Sequence, residues 1–373
     1  MPTPSRGHGT HEIGFGHVLA RFSRLKPFVT RPGLAVFLSL FIAAAIGTAG
    51  CGSAQPPGQQ KTSGGGGDDK ITIAMLPKLK NIAYFIACQR GAERAAEELG
   101  VELIYDGPAK ASGSEQNKFI ETWIRQGVDA ICVAPNQPEG IKRFIERAQQ
   151  RGIAVLTWDT DAPECGRSIM VNQIDDETLG HMLMDDLAEQ MNEQGEWAIA
   201  IASLDASNLN NWRRIAEARA EEKYPGLELV DTVVTEEDEE KARQSVETLL
   251  NKHPNLGGII AFDSNSVPGA AEAIDRAGKA GEVALTGNTG PGKMRDFIKR
   301  DVLKSFYLWD PRELGALTVH LAAAIVKGED IKPGSELPGF GKLRFSDHDP
   351  TMVILSDPIR FTKENIDEYD WKF

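Results

Sequence analysis

The feature that most constrains this chain begins near residue 70. From there, short runs that are apolar at nearly every position alternate with amphipathic stretches of about 12 to 16 residues. ITIAM (71–75) reads as a buried strand, Tyr84 to Leu99 as a helix closed by Gly100, and VELIYD (101–106) as the next strand. Helix Glu115–Gln126, strand DAICVAP (129–135), helix Gly140–Arg151 and strand IAVLTWD (153–159) continue the pattern. Strands apolar on both faces and separated by helices imply an α/β fold with a parallel sheet covered on both sides. A second set follows SIMVNQ (168–173). Its strands are WAIAIAS (197–203), LELVDTVVT (227–235), LGGIIAFD (256–263), VALTGN (283–288) and VLKSFYLWD (302–310). Two successive doubly wound sheets are therefore expected, one up to about residue 173 and one up to about 309.

The residues before this region read as export machinery. Arg21, Arg24, Lys26 and Arg31 precede an uncharged apolar run, Gly33 to Thr48, and Thr48-Ala49-Gly50 lead into Cys51. The run is shorter than the roughly 20 residues that span a bilayer as a helix, and small residues stand before the cysteine. Residues 1–50 are thus expected to be a signal peptide with a lipobox-like end, although Thr48 stands where such motifs usually carry Leu. Cys51 is the expected site of lipidation, and 51–69, rich in Gly, Ser, Pro and Gln, the expected flexible tether.

Composition excludes several functions. With Asp plus Glu at 54 against Lys plus Arg at 41, the net charge is −13, and no clustered Lys and Arg offer a nucleic acid its phosphate contacts. His181, His253, His320 and His348 have no metal-ligand spacing, and neither a Gly-x-Ser-x-Gly elbow nor a Cys-x-x-Cys pair occurs. No enzyme activity, metal or cofactor is expected. Gly287 to Lys293 has phosphate-loop spacing, but Met294 stands where a Ser or Thr should follow and Pro291 removes a backbone N–H, so it reads as a turn. Glu236 to Glu240 (EEDEE) reads as a solvated run ahead of a helix, and Cys88 and Cys132 as small buried thiols.

In parallel sheets ligands bind at the carboxyl ends of the strands. Those positions hold Lys78 with Tyr84 and Phe85, Pro135 and Asn136, Trp158 and Asp159, Asn208 to Trp212, Asp263 to Ala270, Asn288, and Trp309 with Asp310. Aromatic rings cover the apolar face of a sugar, and carboxylates and amides bind its hydroxyls, so the mixture suits a polyhydroxylated ligand.

From Ile71 to Phe373 the sequence resembles the type I periplasmic sugar-binding proteins, and within them the autoinducer-2 receptor and rhamnose-binding branch. The resemblance rests on LPKL (76–79), ELGVELIYDGP (98–108), RGIAVLTWDTDAPEC (151–165), VNQ (171–173), NNW (210–212), DSNSVPGAA (263–271), YLWD (307–310) and FTKENIDEYD (361–370). It implies a monomeric, membrane-tethered solute-binding lipoprotein of an ABC importer, exported to the periplasm, handing a small sugar to a permease. It also implies two lobes, 70–173 plus 310–350 and 174–309 plus 351–373, closing on the ligand. Lys78, Tyr84, Phe85 and Asp159 would come from one lobe, Asn208, Asn211, Trp212, Asp263, Pro268 and Ala270 from the other, with Trp309 and Asp310 near the hinge. Autoinducer-2 receptors of this branch use a Lys, an Asp, an adjacent Asp-Gln pair, a Pro and an Ala. Lys78, Asp159, Pro268 and Ala270 match, whereas the pair falls on Asn208 and Leu209. A leucine side chain offers no hydrogen bond. The implied ligand is therefore a rhamnose-like deoxysugar or another monosaccharide, the alternative being an autoinducer-2 or sugar receptor that presents its ligand to a signalling partner.

Overall fold

The computed structural model describes residues 70–372, so the expected signal peptide and tether and the expected lipidation site Cys51 lie outside the described residues. The first sheet is built from β1 (Thr72–Leu76), β2 (Glu102–Tyr105), β3 (Ala130–Val133), β4 (Ala154–Trp158) and β5 (Ile169–Asn172). Between them run α1 (Ala83–Leu99), α2 (Gly113–Gln126) and α3 (Pro138–Gln149). The second sheet follows with β6 (Gly195–Ile201), β7 (Leu227–Val234), β8 (Leu256–Ala261), β9 (Ala284–Gly287) and β10 (Ser305–Leu308). Its helices are α4 (Asp176–Gln190), α5 (Ser207–Lys223), α6 (Glu239–Lys252), α7 (Ser266–Arg276) and α8 (Pro291–Lys299), and α9 (Pro311–Val326) comes after β10. Five short strands end the chain: β11 (Glu336–Leu337), β12 (Gly341–Lys342), β13 (Arg344–Phe345), β14 (Met352–Ile354) and β15 (Ile359–Thr362). These last strands have no counterpart in the sequence reading, being too short for a periodic signal.

The strand order of the first sheet is β13-β14-β5-β4-β3-β1-β2, parallel except for β13. The second runs β7-β6-β8-β9, all parallel, and a bridge from Asn288 to Tyr307 carries it on to the antiparallel pair β10-β15. Met352–Ile354 were expected with the tail in the second lobe, yet they pair with Met170–Asn172 of β5. The chain thus returns to the second sheet only after Ile354.

Period-two alternation divides β1 between two cores. Ala74 and Leu76 pack with Ile120, Trp123, Ile141 and Phe144 of α2 and α3, whereas Ile73 and Met75 face the larger core that includes Cys88, Leu314 and Leu317 of α1 and α9. Local signals set the helix ends. Ser112 Oγ accepts from Glu115 N–H at the start of α2, a Ser-x-x-Glu start, and α1 and α2 stop at Gly100 and Gly127 in the left-handed conformation. Helices α1 and α9 touch backbone to backbone, because a Cβ on Gly91 would lie 1.7 Å from Arg312 O and one on Gly315 2.0 Å from Cys88 O. Cys88, Cys132 and Cys165 are buried and free.

Candidate ligand-binding site

A cavity of about 30 Å³ lies where the carboxyl ends of the two sheets face each other. The first sheet supplies Lys78 just after β1 and Asp159 just after β4, with Tyr84 and Phe85 on the first turn of α1. From the second sheet come Asn208, Leu209 and Trp212 on α5, Glu237 after β7, Asp263 to Asn265 after β8, Asn288 after β9 and Trp309 after β10.

The polar centre is a buried ion pair. Lys78 Nζ stands 3.2 Å from Asp159 Oδ2, both side chains 5% exposed, and donates to Asn208 Oδ1 at 3.0 Å. Asp159 Oδ1 accepts from the Tyr84 hydroxyl at 2.8 Å, and that hydroxyl accepts from Trp309 Nε1 at 2.9 Å. Burial, then the charge of Asp159, pushes the Tyr84 phenol well above its ordinary range, so it stays a donor. Asn208 Nδ2 donates to the Asp159 carbonyl at 3.2 Å, which joins the two sheets a second time. Asp159 adopts φ 60°, a left-handed conformation costly for a residue with a side chain, and this turn follows β4 directly.

Behind Lys78 stands a polar brace. Buried Gln116 donates to Pro77 O at 3.0 Å and Ala134 O at 2.7 Å and accepts from Asn136 N–H at 2.8 Å; Asn136 in turn donates to Lys78 O at 2.8 Å. Asn136 therefore positions the loop that carries Lys78. The walls are aromatic, with Tyr84 edge-on to Trp309 at 6.1 Å between ring centroids and Trp212 tilted against Trp309 at 5.8 Å. On the far side, Asp263 accepts from Asn265 N–H at 3.1 Å, Ser266 N–H at 2.9 Å and the Ser266 hydroxyl; burial still raises its carboxyl.

Of the residues expected at the site, Lys78, Tyr84, Phe85, Asp159, Asn208, Trp212, Asp263 and Trp309 line this cavity, and Asn211, Pro268, Ala270 and Asp310 do not. Helix α5 begins at Ser207, so Asn208 and Trp212 share its cavity face; Asp176 accepts from Trp212 Nε1 at 2.8 Å and from Asn211 Nδ2 at 2.6 Å, and Asn211 stays off the cavity. Pro268 and Ala270 lie inside α7, buried in protein. Asp310 caps α9, accepting from Arg312 N–H at 2.9 Å, and pairs with the Arg312 guanidinium.

Glu237 was missed. It stands in the acidic run read as solvated, yet its backbone at φ 55° turns the side chain inward, and its Oε2 is buried with no hydrogen-bond partner. Burial foremost, then Asp263 and Asp159, push its carboxyl up to about 7, with Lys78 opposing. Asn288, one of the strand-end candidates, also lines the cavity with an unpartnered Oδ1. Among the described residues no group of three or more His, Cys, Asp or Glu is placed to hold a metal ion, and no helix is long and apolar enough to cross a membrane.

Known proteins share this organisation. The ribose import binding protein RbsB of Bacillus subtilis is 26% identical over 305 residues, which cover 81% of this chain and 94% of that protein. The solved structure of LsrB from Clostridium saccharobutylicum in complex with AI-2 is 29% identical with a TM-score of 0.75, covering 80% of this chain and 100% of the other. That of an ABC transporter solute binding protein from Clostridium phytofermentas with bound L-rhamnose is 26% identical with a TM-score of 0.76, covering 81% and 98%. A family profile described as periplasmic binding protein domain matches residues 73–330. With two parallel sheets whose strand ends meet over one polar and aromatic cavity, this chain belongs to the periplasmic binding proteins of type I, a family of binding proteins rather than enzymes.

Proposed function

We propose that the protein captures a neutral monosaccharide or deoxysugar for an ABC importer, is exported, and is held at the membrane through Cys51. The observation that carries this reading is the cavity lining. Tyr84, Trp212 and Trp309 offer ring faces and edges, while Lys78, Asp159, Asn208, Asp263 and Asn288 offer donors and acceptors from both sheets. A sugar presents the complementary pair, an apolar ring face and a rim of hydroxyls. The similarity to a ribose import binding protein and to a rhamnose-bound solute-binding protein supports the same class.

Closure is the proposed mechanism. A space of about 30 Å³ is far below the roughly 300–1,000 Å³ of small-molecule pockets, so a sugar ring enters only when the two lobes part. We assign 70–173 with 310–355 to one lobe and 174–309 with 356–372 to the other. Contacts available only when both lobes meet on the ligand shift the population towards the closed form that a permease would recognise.

The similarity to an AI-2-bound structure, with Lys78 and Asp159 side by side, favours a second reading as an autoinducer-2 receptor. Against it stand Leu209, apolar and on the cavity wall, and Pro268 and Ala270, which do not line the cavity. A thermal-shift screen with L-rhamnose, D-ribose, D-arabinose and autoinducer-2 separates the readings. A ligand at a hundredfold over its Kd stabilises the folded state by about 2.7 kcal/mol. A shift with a neutral sugar supports the first reading, a shift with autoinducer-2 alone replaces it with the second, and no shift with any of them contradicts both.

A further inference from the structure

The loop between β7 and α6 is built to hold a carboxyl over the cavity. Glu236 and Glu237 are both left-handed, at φ 58° and 55°, a costly conformation for two residues with side chains in succession. Long-range bonds hold the turn: Glu236 N–H donates to Ala202 O at 3.0 Å, and Asn265 Nδ2 donates to Glu237 O at 2.7 Å. Glu237 borders the deep cavity, and it also borders an outer cleft of about 820 Å³ that shares Lys78 with that cavity. A third space of about 300 Å³, shared with Tyr84 and Asn265, meets it on the other side. Its Oε2 is buried and makes no hydrogen bond, and the Oδ1 of Asn288, a residue 4% exposed on the same cavity, makes none either. Buried acceptors without partners are rare in folded proteins, and two on one cavity point to a ligand that donates.

We propose that Glu237 is a specificity-determining contact of the binding site, its carboxylate accepting a hydrogen bond from a ligand hydroxyl where the deep cavity opens to the outer cleft. The inference rests on the sugar-binding reading above. An ionised acceptor makes roughly twice as strong a bond as a neutral one, so the ionised form of Glu237 is the one that holds the ligand.

The charges around Glu237 decide how it responds to pH. Lys78 beyond β1 favours its ionised form, and Asp159 beyond β4 and Asp263 beyond β8 oppose it. Asp263 is already held by the Asn265 and Ser266 N–H groups and the Ser266 hydroxyl, and Asp159 by Lys78 and Tyr84. On its own loop Glu236 pairs with Lys241, and Asp238 caps α6. Glu239 pairs with Lys293 of α8, and Lys293 and Lys372 line the third space with Glu237. Among the described residues no histidine lines the deep cavity. Glu237, pushed up to about 7, is thus a cavity group whose charge changes near neutral pH.

The test is isothermal titration of wild type, Glu237→Gln and Glu237→Ala with L-rhamnose, D-ribose and D-arabinose at about pH 5 and about pH 8. Circular dichroism first establishes that each variant is folded, and the near-isosteric Gln variant serves if the Ala variant is not. Wild type is expected to bind one of these sugars about tenfold more tightly at the higher pH, as ionisation of a single contact dictates. Glu237→Gln is expected to lose that pH dependence and to bind about tenfold more weakly at the higher pH. Unchanged affinity and pH profile in the Gln variant would overturn the role of Glu237 while leaving sugar binding intact. Failure of wild type to bind any of the three sugars would overturn sugar binding, and this inference with it.

Discussion

Lys78 donates to Asn208 Oδ1 at 3.0 Å, and this one bond ties the end of β1 to the first turn of α5 across the gap between the two sheets. The same amide donates from Nδ2 to Asp159 O at 3.2 Å, so both ends of Asn208 work to hold the sheets together. Truncation by Asn208→Ala removes both bonds and leaves Lys78 with Asp159 alone. Small-angle scattering is expected to give a larger radius of gyration for this variant than for wild type, and sugar affinity should fall about tenfold, the size of one lost bond to a charged group. An unchanged radius and affinity would show that the bond does not govern closure.

Specificity between sugar and autoinducer-2 should respond to the neighbouring position. Leu209 presents only apolar surface to the cavity. The double variant Asn208→Asp with Leu209→Gln supplies a carboxylate and an amide, and is expected to bind autoinducer-2 more tightly than wild type and the native sugar more weakly. Titration of both proteins with both ligands checks it. Submicromolar binding of autoinducer-2 by wild type would contradict the role given to Leu209.

Much of this site is legible in the sequence because parallel strands end at known places. Lys78 and Asp159 follow buried apolar runs directly, and a reader who can find the run can find the residue. Helical positions were harder. Asn211 and Trp212 are adjacent in sequence and both donate to Asp176, yet one residue turns the helix by about 100°, and only the ring of Trp212 reaches the cavity. Glu237 could not be read at all, since EEDEE has the composition of a solvated cap. Bonds from Asn265 and to Ala202, distant in sequence, help turn that loop inward. The strands from Glu336 onward escaped for a different reason, being two to four residues long, with β14 and β15 paired to strands far back along the chain.

The stability of the protein should depend on Glu237 through pH. Burial raises its folded-state carboxyl to about 7, above its ordinary value of 4.5, so its contribution is fully present below about 4.5 and is lost as pH rises to about 7. Wild type is therefore expected to lose more thermal stability between pH 5 and pH 8 than Glu237→Gln, which cannot ionise. Parallel melting curves for the two proteins over that range would contradict this burial.

The contact between α1 and α9 admits no extra atom at Gly91, where a Cβ would fall 1.7 Å from Arg312 O. Since the obstacle is backbone, Gly91→Ala must push the helices apart. A loss of about 3 kcal/mol or more is expected by chemical denaturation. A loss no larger than that of an exposed substitution would mean the helices slide freely.

Tyr84 tests the second half of the polar centre. Tyr84→Phe keeps the ring beside Trp309 but deletes the hydroxyl that donates to Asp159 and accepts from Trp309 Nε1. Two buried groups lose a partner, and a cost of about 1–3 kcal/mol each is expected in denaturation, less whatever water recovers. Stability equal to wild type would show the hydroxyl to be dispensable.

The most direct test of sugar capture between the two sheets is isothermal titration of wild type and Asp159→Asn with L-rhamnose and D-ribose. Asp159 is 3% exposed and holds Lys78, Tyr84 and, through its carbonyl, Asn208. Its conversion to an amide preserves shape and removes the charge that Lys78 pairs with and that the proposed ligand hydroxyl would use. One-to-one binding of a neutral sugar by wild type, weakened about thirtyfold or more in the variant, is the expected result. Wild type silent to both sugars, or a variant that binds as tightly as wild type, would contradict it.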